Sequence, residues 1–514
     1  MPIELFFSNQ VERLAEKLSD HLSYELVNRK NKLEPMAVIV PNQNMVKWLQ
    51  LTLSKLQAVL LNIHFDFLEN GLWYLLADLD HHRLAVRLMD HKVRTLKLIQ
   101  VLKKLDLNDP ILAPIATYLL DTKGNKRIDL APRLWQLAER LSRLFQEYEY
   151  HRVDMIDAWQ KNKDVKSKME RCQQYLYCTV YRQTANTKTS SGFFFTSLLE
   201  YANRILNNNI VFDKITSRTI HIFGMSQISS FHYELFGRLA AYHTINFYTL
   251  NPSKEFWEDI QTPRERRWFQ KKQNIEKIQW TEMEDEYADS PSQDHPLSAL
   301  WGKMGRENVR QLCSLTDYTF NTFYSQFERQ DVVLHRLQND LLTLTGGRSS
   351  PSLAQDTSLQ MFACPSKFRE VETVYHTICY NLRQDNTLKL TDMAILVPDM
   401  NLYKPIFDAV FNRRPDILSY NIVDSNAQAE SLYGQAIVQI LDLAQGRFSR
   451  KAVFELLLNP CLMQRWGISV EEIRDWVSWA DELNIFHTYS RKNYKDKVNL
   501  LKAEHFSWKQ ALRR

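Results

Sequence analysis

The chain has 514 residues, 44% of them hydrophobic and 24% charged, and 65 Lys+Arg against 60 Asp+Glu give a net charge of +5. That length supplies roughly two to four domains, and the composition is that of a folded globular protein, which excludes a disordered chain. No run of ~18 apolar residues occurs, so no membrane span is expected, and the start MPIELFFSNQ lacks the basic and small-residue features of a secretory signal, which points to the cytoplasm.

The first predicted element is a strand over Ile3–Phe7, followed by the turn Ser8-Asn9-Gln10 and a helix with Val11, Leu14, Ala15, Leu18 and Leu22 on one face. In a nucleotide-hydrolysing α/β domain this turn is the phosphate loop, built from glycines and a lysine. A second strand reads over Met36–Val40, ending in PNQN and an amphipathic helix. More than a hundred Leu-rich, helix-periodic residues follow, broken by Pro110, Pro114 and Pro132, and read as a helical insertion. Strands return at Thr219–Met225 and Ile245–Leu250. TEMEDEYADSPSQD, around Glu282, reads as a solvated loop. The Gly-, Ser- and Pro-containing stretch Thr345–Ser358 reads as a linker. After it come strand candidates Leu359–Cys364 and Met393–Val397, with a helix between them that places Val371, Val374, Tyr375, Ile378 and Leu382 on one face. MAVIVPNQN at Met36 and MAILVPDMN at Met393 share strand, proline and asparagine in one register, which predicts two α/β blocks of one kind.

Catalytic and ligand-binding chemistry is hard to find. Glycine is scarce, 12 residues in all, which argues against several glycine loops. The one Gly-Lys pair, Gly302-Lys303, is followed by Met304 and does not follow a strand, so it is no phosphate loop. The third strand runs into FGMSQISSFHYELF with no Asp-Glu pair to hold Mg²⁺. His81, His82 and His91 lack the cysteine or carboxylate that would complete a zinc set. Glu370 and Glu372 point apart on their helix and are no acid–base pair. No G-x-S-x-G occurs. Six cysteines (Cys172, Cys178, Cys313, Cys364, Cys379 and Cys461) show no C-x-x-C spacing and read as reduced structural thiols. The mild basic excess is a weak pointer to nucleic acid.

FFSNQVERL, VIVPNQNMVKWLQLTL, IFGMSQISSFHYELF, INFYTLNPSKEFWEDI, HPLSALWGKMGREN, FREVETVYHTI and LVPDMNLYKPIFDAVF occur in this order, and together they resemble the RecC family, the gamma subunits of exodeoxyribonuclease V. The resemblance runs from the first residues to about Trp508 and corresponds to the N-terminal half of the family. It implies two tandem superfamily 1 helicase-like (RecA-like) α/β domains without ATPase motifs. On that plan residues 1–60 and 211–344 form the first domain, 61–210 its helical insertion and 345–358 the linker. Residues 359–425 then begin a second domain, and 426–514 are a helical region in which the chain stops. A second block cut short in this way is expected to expose an open sheet edge.

The resemblance also implies a role. Such proteins hold RecB-like and RecD-like subunits together, split duplex DNA ends and pass single strands through channels, one of which reads the recombination hotspot Chi. ATP and Mg²⁺ are bound by the partner subunits, with no cofactor in this chain. For the Chi channel, Trp73, Leu144 and Arg152 match the family pattern in identity. Pro41, Gln43, Lys47, Phe67 and Arg143 occupy equivalent places with other residue types, which leaves the recognised DNA sequence open. Trp73 and Leu144 read equally well as core residues, and Arg152 as a surface charge. Two rival functions stand beside this one: an active nucleotide-dependent helicase or nuclease subunit, opposed by the absent phosphate loop, and an α/β interaction protein with no DNA role.

Overall fold

The computed structural model describes residues 2–29, 31–57, 61–80, 85–121, 130–163, 165, 167–186, 193–206, 217–260, 262, 265, 267, 295–317, 319–327, 332–345, 356–413, 418–423, 431–446, 448–486 and 507–513. The chain divides into two compact units, Met1–Leu359 and Gln360–Arg514. His81, His82, the acidic stretch near Glu282 and residues 346–355 of the expected linker lie outside the described residues.

The first unit contains β1 (Ile3–Ser8), β2 (Met36–Val40), β3 (Ile63–Phe67), β4 (Val86–Leu88), β5 (Phe194–Thr196), β6 (Thr219–Phe223), β7 (Thr244–Leu250) and β8 (Asn321–Thr322). Six of these make one sheet in the order β3-β2-β6-β7-β1-β8, and every pairing in it is parallel. A parallel sheet is covered on both faces, so the central strands send apolar side chains to both sides. Accordingly Phe6, Val38, Val40, Phe223 and Tyr248 pack into one buried cluster, while Ile3, Leu5, Phe7, Ile39, Ile220, Ile222 and Phe247 pack into the other.

The helices on the first face are α1 (Val11–Asn28) and α2 (Gln43–Leu56). The predicted stripe Leu14, Ala15, Leu18 and Leu22 is buried, and α2 adds Val46, Leu49 and Leu53. Asn42 starts α2 by accepting the Met45 N–H at 2.9 Å.

On the opposite face lies α3 (Leu68–Leu79), with Leu72, Leu75, Leu76 and Leu79 buried. A Cβ added to Gly71 would stand 2.7 Å from Ile39 Cδ1, so glycine is what lets α3 lie this close to β2. Placing the helical insertion from residue 61 needs correction here: Ile63–Phe67 is a sheet strand, paired with β2 from Met36↔Ile63 to Val40↔Phe67. As an edge strand with exposed His64 and Phe67 it lacks the continuous apolar run of its neighbours.

Beyond β3 the insertion is helical apart from the short parallel pair β4–β5. It contains α4 (His91–Lys104), α5 (Ala113–Leu119), α6 (Leu130–His151), α7 (Val153–Gln160), α8 (Lys168–Asn186) and α9 (Leu198–Leu206), and α10 (Ser230–Leu239) follows β6. A buried polar cluster fixes α4, α6 and α8 together. Arg94 donates to Glu149 Oε2 at 3.1 Å, and Tyr177 (3.1 Å) and Tyr181 donate to Glu149 Oε1. His91 is tied to Ser142 Oγ at 2.9 Å, and among the described residues no three metal-ligating side chains gather.

The second unit corrects the expectation of strands at Leu359–Cys364 and Met393–Val397. Among its described residues there is no strand; helices Lys367–Gln384, Met400–Phe411, Leu432–Gln445, Arg450–Leu457, Pro460–Trp466, Val470–Glu482 and Trp508–Ala511 make up its regular structure apart from a short 3₁₀ turn. Among the described residues neither segment forms a strand, and Met361 is 94% and Leu396 93% exposed. The apolar, β-branched signal is local, but a strand forms only against another strand. The helix stripe does hold: Val371, Tyr375, Ile378 and Leu382 pack with Tyr403, Phe407, Val410 and Phe411. All six cysteines are free thiols. Among the described residues no helix is long and apolar enough to cross a membrane.

Candidate nucleic-acid interface

All strands of the sheet point the same way, so their carboxyl ends share one edge, where open α/β sheets bind ligands. Two places on that edge matter: the turn after β1, and the crevice beyond β2, β3 and β6.

The turn after β1 is occupied by the protein's own chain. Ser8 is fully buried, and its hydroxyl donates to the Phe323 carbonyl at 2.9 Å. Asn9 donates to the Ser325 carbonyl at 2.8 Å and accepts the Ser325 N–H at 3.0 Å. The Phe323 N–H bonds Phe7, the Asn251 N–H bonds Ser8, and the Gln10 N–H turns back onto Ser8 Oγ. A phosphate loop needs backbone N–H groups free to converge on an anion. Here the turn is spent holding the segment after β8. Gly302-Lys303, the one Gly-Lys pair in the sequence, sits at a helix junction. Cβ atoms at Gly302 and Gly305 would lie 2.7 and 2.8 Å from the buried Trp257 ring, so both glycines serve packing.

The crevice beyond β2, β3 and β6 forms a cavity of about 510 Å³. Pro41 closes it after β2, Phe67 and the first turn of α3 after β3, the Gln227–Ser229 turn after β6, and Tyr150 and His151 at the end of α6. Glu69 accepts Gln146 Nε2 at 3.0 Å and the Tyr150 hydroxyl, and Gln146 also reaches Tyr150 Oη at 3.1 Å. Burial, then the Glu69 charge, pushes the Tyr150 phenol well above its usual range, so it stays a donor. The Tyr150 ring lies 4.6 Å from His232, whose Nδ1 shares a 2.7 Å hydrogen bond with Ser229 Oγ. His232 Nε2 is buried with no partner. Burial, then His151, lowers the His232 pKa to about 4.

The residues singled out in the sequence fall in three groups. Pro41 and Phe67 line the cavity directly. Gln43 starts α2 two residues beyond Pro41, Lys47 is exposed one turn later, and Arg152 is exposed beside His151 with Nε 3.7 Å from Asp154. Trp73, Leu144 and Arg143 do not line it. Trp73 is half-buried and stacked on Tyr201 with ring centroids 4.3 Å apart, so one face of the indole is taken. Leu144 is half-buried on α6, and the exposed Arg143 pairs with Glu139 at 2.6 Å. Glu69, Tyr150 and His232 were not singled out in the sequence; each comes from a different element, and only the position of the third strand's end hinted at the last.

The fold and this edge define an α/β protein built on a six-stranded parallel sheet, in which the turn after β1 is bonded to the segment after β8. Family comparison gives the name: a sequence model described as "RecC, N-terminal domain" matches residues 3–344, and another, "RecBCD enzyme subunit RecC fourth domain", matches 430–514. The chain belongs to the RecC family. It is 24% identical to "RecBCD enzyme subunit RecC" of Haemophilus influenzae over 92% of its own length, and 24% identical to that of Escherichia coli K12 over 94%. It is 22% identical to the Mycolicibacterium smegmatis protein of the same name, again over 94% of its length. The chain spans 45% of the length of the first two relatives and 43% of the third.

Proposed function

We propose that this chain is a non-catalytic, DNA-guiding and scaffolding part of a RecBCD-type helicase–nuclease that acts in double-strand break repair by recombination. It works with RecB-like and RecD-like subunits, which bind the ATP and Mg²⁺, engages duplex ends, and leads a single strand along the carboxyl edge of its first sheet. The helical second unit takes the place of a second helicase-like domain in this reading. The observation that carries the proposal is the filled turn at Ser8–Gln10 beside an unfilled crevice: the usual nucleotide position is given up, while the neighbouring edge keeps a cavity with an exposed aromatic residue and cations nearby. Single strands are held by such cations along the backbone and by aromatic faces for the bases. Family membership supports the same reading, because the relatives are named as RecBCD subunits.

The test is titration of the purified chain with a single-stranded oligonucleotide and, separately, with ATP and Mg²⁺. Salt-dependent oligonucleotide binding without ATP binding is the expected result, and Lys47→Ala should reduce the slope of log K against log salt by about 0.7 if the lysine meets a phosphate. ATP binding that is lost on changing Asn9 would favour a nucleotide-dependent enzyme. Absence of any DNA binding, alone or with RecB-like and RecD-like partners, would overturn the proposal.

A further inference from the structure

The outer face of α4 carries charge of one sign. The helix buries Arg94, Leu98, Val101 and Leu102, while Lys92, Leu96, Gln100, Lys103 and Lys104 are exposed and Lys97 is half-buried. At 3.6 residues per turn these last six fall within an arc of about 140°, with Lys92 and Lys103 about 17 Å apart along the axis. The helix contains no aspartate or glutamate. The carboxylates on either side of it are occupied: Asp90 caps the helix by accepting the Val93 N–H at 2.7 Å, and Asp106 accepts the Asn108 N–H and side-chain amide, each at 3.0 Å. Among the described residues none of the four lysines makes an ion pair or a hydrogen bond. Elsewhere Lys161, Lys404 and Lys451 each reach a carboxylate one turn away. The helix dipole favours Lys103 and Lys104 in the last turn, but it disfavours Lys92 in the first and does nothing for Lys97 between them. Four like charges left without counter-charge repel one another, and a polyanion laid on the face relieves that repulsion.

Resting on the DNA-guiding reading above, we infer that this face of the helical insertion is a sequence-independent contact for the phosphate backbone of duplex DNA, separate from the crevice at the sheet edge, which no residue of α4 lines. The make-up of the face selects among polyanions. Protein–protein interfaces favour arginine and aromatic anchors and are depleted in lysine, whereas here the exposed charges are all lysines and the exposed apolar residue is Leu96. A single-strand site combines cations with aromatic faces on which bases stack, and α4 has no Phe, Tyr or Trp. Lysine meets phosphate as a point charge and asks nothing of the base. Each strand of a duplex offers one phosphate per ~3.4 Å of axis, so a face about 17 Å long spans about five steps, enough for each lysine to find its own phosphate. The duplex then lies on the insertion while a separated strand follows the sheet edge.

The experiment follows binding of a short blunt duplex and of a single-stranded oligonucleotide to the full chain by fluorescence anisotropy across a salt series. Each lysine that meets a duplex phosphate contributes about 0.9 to the slope of log K against log salt, so Lys92→Gln, Lys97→Gln, Lys103→Gln and Lys104→Gln together should lower the duplex slope by about 3. Single-strand binding should keep its slope. The same change at Lys161, Lys254, Lys404 and Lys451 removes equal charge elsewhere and should leave the duplex slope as it was. Duplexes of unrelated sequence should bind alike. A second measurement needs no variant to fold: on wild type, saturating duplex should shield the four α4 lysines, and not Lys161, from an amine-acetylating reagent. Equal loss of slope in the two quadruple variants, a wild-type slope in the folded α4 variant, or full acetylation of the α4 lysines under duplex would overturn the inference while leaving single-strand guiding intact. Polyglutamate that shields those lysines where duplex does not would assign the face to an acidic polypeptide and likewise overturn it. If neither DNA binds wild type, the DNA-guiding reading fails and the duplex contact falls with it.

Discussion

Asn9 and Ser325 exchange two hydrogen bonds across 316 residues: the Asn9 amide donates to the Ser325 carbonyl at 2.8 Å, and the Ser325 N–H donates to the Asn9 side-chain oxygen at 3.0 Å. An amide is the one kind of side chain that closes both bonds, since it offers a donor and an acceptor side by side. This pairing ties the segment after the short β8 to the end of β1 and occupies the polar groups of the turn that follows it.

Asn9→Ala leaves the Ser325 backbone groups without that partner. Each bond lost from a partly buried group costs about 1–3 kcal/mol, so the variant should unfold at distinctly lower urea concentration. Hydrogen exchange should quicken first over residues 321–325. Asn9→Asp, which keeps only the acceptor, should fall between. An unchanged midpoint and unchanged exchange in Asn9→Ala would show that the pairing does not hold this edge.

Glu149 and Arg94 form a buried pair, each about 2–3% exposed, and Glu149 also receives two tyrosine hydroxyls. Removing one partner of such a pair costs about 3–5 kcal/mol, whereas replacing both with apolar groups is far milder. Glu149→Ala should therefore destabilise the insertion severely, and Arg94→Met with Glu149→Leu should recover most of the loss. Denaturant unfolding of the single and double variants measures it.

Acid should weaken the first unit before carboxylates are broadly protonated. Burial, then Lys17 and His221, lowers the His21 pKa to about 4, with Asp20 and Glu25 opposing; His232 also falls to about 4 through burial and His151. Above about pH 6.5 both histidines are neutral, folded or unfolded. Between about 6.5 and 4 the unfolded chain takes up protons that the folded chain refuses, so stability falls as pH falls and levels off for these groups below 4. Unfolding midpoints across pH 7 to 4 should show the decline, and His232→Gln should make it shallower.

The second unit exposes the apolar side chains of Met361, Phe362 and Leu396. Exposed apolar surface of this kind favours association with other chains. The chain should aggregate with rising concentration, and Met361→Glu with Leu396→Lys should suppress this without changing the helical content seen by circular dichroism. Equal aggregation in both proteins would place the sticky surface elsewhere.

The central strands were legible to within a residue or two because each carries buried apolar residues on both faces, most completely at Met36–Val40. Edge strands were not: Ile63–Phe67 alternates with polar residues, and Asn321–Thr322 is too short to leave a pattern. Met393–Val397 shows the opposite failure, since its composition is that of a strand but pairing is a property of the neighbours. The site divides the same way. Pro41 and Phe67 could be reached through the family resemblance, whereas Glu69, Tyr150 and His232 converge from α3, α6 and α10 and share no spacing in the sequence.

Hydrogen–deuterium exchange of the chain with a single-stranded oligonucleotide, and separately with ATP and Mg²⁺, tests most directly whether the sheet edge guides DNA in place of binding nucleotide. The oligonucleotide should slow exchange in the segments after β2, β3 and β6 and at the α6–α7 junction around Arg152, with ATP leaving Ser8–Gln10 unchanged. Protection of Ser8–Gln10 by ATP, or oligonucleotide protection confined to other surfaces, would contradict the account.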